Sequence, residues 1–371
     1  MSETNVDSSC PVCRSTRADV FFESRLSHSV RSDWATLPVR AIVLKCTDCG
    51  HLFKPYGFVK SCSDYQAYSA WGNSQKRDKT EFSLGAPLTR SAAIVRFLRD
   101  RCLAPDTHAI LDYGCNRGAF LVLLGAGAHA GFDVSEQYRP LIEGGGYEYF
   151  TPESPPPRRR YDIVTLIHVA EHLSSVADDM KHGIEALKEQ GAVLVQVPDA
   201  ATQPTDLYVA DHFSHFLQLT LIRAMLGAGF ELVEAVTSIL PGELTGLFRA
   251  ATVKGITMSA PQDSIYTLVK SNLDCGEDIL LRLKAEKTPC LVFGAGSLGS
   301  LVAAVLEGQV QGFVDDNKGM HAETRAGLPI RGLLDVRSRT TIVVAVPPSA
   351  ALRVADRCRA QGHLVEVPFR V

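Results

Sequence analysis

Two stretches of alternating strand and helix patterns, each opened by a glycine-containing turn, follow two C-x-x-C pairs. Together they predict an α/β protein with two doubly wound parallel sheets and a small N-terminal metal module. The 371 residues suffice for two or three domains of ordinary size. By pattern, 1–60 is a four-cysteine module, 61–88 an aromatic linker or lid, 89–250 a first α/β core and 251–371 a second, Rossmann-like α/β domain.

Composition narrows the class. Hydrophobic residues make up 46% and charged residues 21% of the chain, the balance of a globular protein. A net charge of −3 argues against nucleic acid as partner, because phosphate binding needs clustered Lys and Arg. The one dense basic run, Arg158 to Arg160, follows a proline run and reads as a solvated loop. The N-terminal MSETNVDSSC is polar and acidic, unlike a signal peptide, and no apolar run approaches the roughly 18 residues of a membrane helix. A cytoplasmic protein with no membrane partner is expected. Ten cysteines in a reducing compartment then read as thiols or metal ligands.

In the first segment, CPVC (Cys10, Cys13) and CTDCG (Cys46, Cys49) supply four thiolates suited to a tetrahedral structural zinc. Four protein ligands leave no open position, so this zinc would not be catalytic. A short, core-poor segment can be stapled by metal, because binding energy becomes folding energy. In the linker, Tyr65, Tyr68 and Trp71 stand in polar company and are candidates to line a ligand cleft.

The first core opens with TRSAAIVRFLRDRCL, apolar at helical spacing and ending before Pro105. HAILDYGCNRGAFLVLL reads as strand, turn and helix, AHAGFDVS as a second strand ending at Asp133, and YDIVTLIHVAEHL and GAVLVQVPDA as a third and fourth. In LDYGCNRG, Asp112 stands just before Gly114 and Gly118. Glycines there admit a ligand close to the backbone and to free helix N–H groups. The acid would repel a pyrophosphate but suits the cationic amino and sulfonium groups of S-adenosylmethionine (SAM). Asp133, ending the next strand, is placed for both ribose hydroxyls. HVAEH, His168 to His172, also matches a zinc-protease pattern, but its first histidine ends a buried strand rather than lying on a helix face.

In the order ILDYGCNRGAFL, GFDVS, YDIVTLIHVAEHL, LKEQGAVLVQVPD and LIRAMLGAGFELVEAV, the chain resembles class I SAM-dependent methyltransferases. The resemblance implies that Asp112, Gly114 and Gly118 hold the methionine end, that Asp133 holds the ribose and that His168 faces the cleft. Asn116 stands where a third glycine is usual, and Glu153 is the candidate for the adenine contact.

The third segment reads as a helix over about Ser271–Lys287, then PCLVFGAGSLGSLVAAVLEG, VQGFVDDN and TTIVVAVPPSA. Gly294, Gly296 and Gly299 with Asp315 and Asp316 fit a dinucleotide fingerprint, which raises a nicotinamide oxidoreductase. No hydride-transfer machinery accompanies it. Holding the nucleotide of a substrate, or a purely structural part, fits better.

The three-part layout is similar to the sugar C-methyltransferase family that acts on nucleotide-linked deoxyketosugars. That family carries EH-x-S-x-F after its core strands, where this chain has DHFSHF, Asp211 to Phe216. The resemblance implies Asp211 and His212 as the acid–base pair, Tyr68 as the active-site tyrosine and His168 as a second cleft histidine; His215 reads as helix scaffolding or as a contact behind that pair. Carbon methylation needs an enolate, hence a base beside a carbonyl, and histidine titrates in the right range. Aspartate is one methylene shorter than glutamate, so O-methylation of a sugar or natural-product hydroxyl is the alternative. The expected cofactors are SAM and structural zinc, and the expected partner is a small nucleotide-linked sugar.

Overall fold

The computed structural model describes residues 9–55, 80–81, 88–251, 260–337 and 339–370. Tyr65, Tyr68 and Trp71 lie outside the described residues.

The middle segment forms a seven-stranded sheet of β1 (Ile110–Tyr113), β2 (Ala130–Phe132), β3 (Glu148–Phe150), β4 (Tyr161–Ile167), β5 (Leu187–Pro198), β6 (Phe230–Val236) and β7 (Glu243–Ala250). Its order is β3-β2-β1-β4-β5-β7-β6, with β7 antiparallel to both neighbours and the rest parallel. β1 and most of β4 are buried, so they read as unbroken apolar runs rather than alternating ones. The order reverses between β1 and β4, and the crevice beyond their carboxyl ends is where α/β sheets bind ligands. Asp112 lies on β1, and His168 follows β4 directly. The sequence pattern omits β3, whose three residues are too few to show a period.

The third segment builds a six-stranded sheet from β8 (Cys290–Phe293), β9 (Val310–Val314), β10 (Thr324–Arg325), β11 (Leu328–Arg331), β12 (Thr341–Val344) and β13 (Leu364–Glu366), in the order β10-β11-β9-β8-β12-β13. The helix before it spans Asp263–Glu286, beginning earlier than the expected Ser271. Its buried stripe runs Tyr266, Val269, Leu273, Glu277, Leu280 and Leu283, a three-to-four spacing that the polar residues between disguise.

The N-terminal module is not core-poor. Its strands Ala18–Glu23, Ile42–Cys46 and Leu52–Phe53 make an antiparallel sheet whose fourth strand, Ser214–His215, comes from the middle segment. Phe22, Leu26, Val43 and Leu52 share one core with Tyr208, with Val269 and Leu273 of the long helix, and with Phe369. At that junction the buried Glu277 carboxylate accepts from Ser24 Oγ at 2.6 Å, Arg25 N at 3.0 Å, Arg25 Nε at 2.9 Å and Tyr208 OH at 3.0 Å. One carboxylate thus ties all three segments together.

Candidate functional site

A cleft of about 1460 Å³ runs from the carboxyl ends of β1 and β4 to the glycine turn after β8, with Ser32 and Trp34 of the module on its wall. Asp112, Gly114, Asn116 and Asp133 line one end. Asp112 is buried and accepts from Thr165 Oγ1 at 2.8 Å. Burial pushes its carboxyl up to about 7, against the Thr165 bond, and the Asp133 charge adds to the rise. An acid held this way gains most from a cationic ligand. Asp133 accepts from Asn116 N at 2.9 Å and Ser135 N at 3.0 Å, which fixes it at the rim of the turn.

Gly114 has φ +82, and a Cβ there would stand 2.3 Å from Val169 Cγ2. Asn116 takes φ +47, a left-handed conformation that asparagine tolerates better than most residues, so the missing third glycine leaves the turn intact. Gly118 departs from expectation. It is absent from the cleft wall, and its added Cβ would meet Ile142 Cδ1, so it serves packing of the helix Ala119–Leu124. Glu153 also stands off the wall.

The middle of the cleft holds His168, His172 and His212. His168 lines the wall in a left-handed conformation, φ +55, with Nε2 2.6 Å from Glu243 Oε2 and Nδ1 2.9 Å from Glu171 Oε1. Burial and Arg90 push its pKa down, but Glu243 and Glu171 outweigh them and the net shift is upward. Both ring nitrogens are engaged by carboxylates.

His212 also lines the cleft, but its carboxylate partner is not Asp211. The Nδ1 of His212 lies 2.8 Å from Asp206 Oδ1, whereas Asp211 accepts from Ser32 N at 2.8 Å and Ser32 Oγ at 2.5 Å, off the cleft wall. Asp211 turns away because its neighbour is the module loop, which needs an acceptor. Burial lowers the His212 pKa, yet Asp206 overrides it and raises the pKa to about 9. With Nδ1 occupied by Asp206, Nε2 is the nitrogen left for a substrate. The expected helix at His215 is instead the short strand Ser214–His215. His215 binds the other oxygen of the same acid, Nδ1 to Asp206 Oδ2, at 2.7 Å.

Asp206 gave no sequence signal. It sits in a proline-led turn, Pro204–Tyr208, six residues before His212, and no single helix or strand joins the two. Glu171 and Glu243 carried no motif for this role either. Glu171, His172 and His212 bring one donor atom each within 4.8 Å of one another and could hold a cation.

At the other end, the third segment repeats the first turn. Asp315 Oδ2 accepts from Ala295 N at 2.9 Å and its Oδ1 from Asn317 N at 2.8 Å, as Asp133 does from Asn116 and Ser135. Gly296 opens the helix Ser297–Val305 with nothing near its absent Cβ. Gly299 is the reverse, with an added Cβ 1.8 Å from Gly294 O.

In the module, Cys10 Sγ lies 3.5 Å from Cys49 Sγ and Cys13 Sγ 3.5 Å from Cys46 Sγ, and all four donors fall within 4.8 Å. Four thiolates around zinc at about 2.3 Å would be about 3.8 Å apart, so this donor set fits a zinc ion. Among the described residues no helix is long and apolar enough to cross a membrane.

Residues 89–235 match a family model described as a methyltransferase domain. The chain carries a methyltransferase domain. Among solved structures, a SAM-dependent methyltransferase from Mesorhizobium loti is 16% identical to this enzyme, covering 38% of this chain and 90% of its own at a TM-score of 0.33. One from Archaeoglobus fulgidus is 17% identical, covering 43% and 95% at 0.33. The CurJ carbon methyltransferase is 12% identical, covering 44% and 55% at 0.36. No curated protein matches the enzyme.

Proposed function

We propose that the enzyme methylates carbon beside the ketone of a nucleotide-linked deoxysugar, with His212 as the base. The observation that carries this reading is the single cleft, which has an acid-flanked glycine turn at each end and His212 between them. When bound, SAM supplies the electrophilic methyl group. Asp112 would meet its cationic methionine end and Asp133 its ribose. The glycine turn after β8, with Asp315 and the open helix start at Gly296, would hold the nucleotide of the substrate. The sugar would then lie at the histidines.

The His212–Asp206 pair suits proton removal. Asp206 fixes the Nδ1–H tautomer, leaves Nε2 as the acceptor and stabilises the imidazolium formed. Glu171 and Glu243 favour the protonated form of His168, which can offer positive charge to a developing enolate oxygen. The four-cysteine cluster would hold zinc for structure. The boundaries 1–60, 61–88, 89–250 and 251–371 serve as working limits of the parts.

The test is methyl transfer from labelled SAM to a panel of nucleotide-linked ketosugars, with solvent-hydrogen exchange beside the ketone followed without SAM. Exchange that vanishes in His212→Ala supports the reading. Methylated product without exchange at any carbon assigns O-methylation instead, and product from no sugar in the panel rejects the substrate class.

A further inference from the structure

Lys54 is a lysine with no exposed surface, which is costly for a charged group unless something inside needs it. It follows the strand Leu52–Phe53, five residues after the zinc-type ligand Cys49. Its Nζ donates to Val209 O at 2.7 Å and lies 2.6 Å from His215 Nε2. The His215 Nδ1–H donates to Asp206 Oδ2, and the His212 Nδ1–H donates to Asp206 Oδ1. The result is a buried chain, Lys54–His215–Asp206–His212, that begins in the N-terminal module and ends at the cleft.

We propose that Lys54 is a positioning residue for the reaction, holding His215 neutral and so reserving Asp206 for His212. An ammonium against Nε2 leaves that nitrogen no room to bind a proton, so the ring keeps a single N–H, on Nδ1, aimed at Asp206. Were His215 cationic, two imidazolium rings would compete for one carboxylate and the grip on His212 would weaken. Burial, with Lys54 next, depresses His215 to about 4, in keeping with the geometry. The groups facing His215 are Lys54 and His51 from the module, Asp206 from the proline-led turn, and His212. Lys54 and, below about pH 9, His212 both oppose a charge on His215, and it is Lys54 that lies against Nε2.

This role rests on His212 being the base proposed above, whereas the charge state of His215 can be read without any substrate. The experiment is 15N NMR of ring-labelled histidine in the full-length zinc-loaded protein, across pH 5 to 9, for the wild type, Lys54→Met and the double variant Lys54→Met/His215→Gln. In the wild type His215 stays in the neutral Nδ1–H form throughout. In Lys54→Met it titrates between about pH 5 and 7, towards the ordinary histidine range. The kcat for exchange beside the ketone then falls about tenfold, a part of the 10²–10⁴ a positioned base is worth, with KM within about twofold. A new inflection appears at the same pH, and the double variant abolishes it. A His215 that titrates near neutrality in the wild type, or one that stays neutral in folded Lys54→Met, overturns the proposal. Loss of methyl transfer with these titrations intact would count against the function proposed above and not against the placement of Lys54.

Discussion

Two titratable residues in the cleft set expectations for pH. Asp112 is held up near 7 by burial, so its protonated form is the one the empty pocket favours. A cationic ligand reverses that preference and expels the proton. SAM affinity should therefore climb as pH rises to about 7 and then level off, and Asp112→Asn should flatten the slope; calorimetry at pH 5.5, 6.5 and 7.5 measures it. His212 behaves the other way round. Its pKa is raised to about 9, so its charged form adds stability that is complete below 6.5 and fades as pH rises through about 9. As a base it works in the neutral form, so exchange at the substrate carbon should accelerate up to about pH 9. Asp206→Asn removes the charge that lifts it, and the inflection should move to lower pH; no movement would mean that Asp206 does not govern the base. The histidines of this centre were legible from DHFSHF, but their acid was not. The resemblance to EH-x-S-x-F pointed to Asp211, and only the folded turn brings Asp206 to the ring.

Turns and strands carried the legible part of the fold. The strands with Asp112 and His168, and the turn with Gly294 and Gly296, could be read because buried parallel strands are continuous apolar runs and phosphate-type turns need glycine. What escaped were elements decided by neighbours. The Ser214–His215 strand exists because Leu52–Phe53 offers it an edge, and the first turns of the long helix because a distant module covers them. The second glycine turn gives a prediction of its own. In Gly299→Ala the new methyl collides with Gly294 O, so helix and turn must separate at a cost of about 1–3 kcal/mol. Binding of a nucleoside diphosphate should be lost while SAM binding persists. Loss of both, or of neither, would contradict a separate nucleotide end to the cleft.

For the molecule as a whole, the junction at Glu277 outweighs any boundary drawn on the sequence. Glu277→Ala leaves Arg25, which is exposed, with Asp278 alone and strands the buried Tyr208 and Ser24 hydroxyls. Unfolding free energy should fall by about 1–3 kcal/mol, against a smaller loss in Glu277→Gln, as urea titration would show. Stripping metal from the four-cysteine cluster should loosen the strand that leads to Lys54. A changed His215 ring signal on chelation, reversed by added zinc, would register it; an unchanged signal would mean that the module's shared core alone fixes the strand.

The bonds from Ser24 and Arg25 to Glu277 span 253 and 252 residues. On a ribosome adding about 5–20 residues per second, the segment with Ser24 and Arg25 must wait roughly 12–50 s for its closing partner to emerge. Through that interval its apolar face and four thiols stand open to solvent. Truncations that stop before the long helix should therefore yield aggregating chains rather than a free N-terminal domain. A part of the enzyme synthesised early is among the last to be finished.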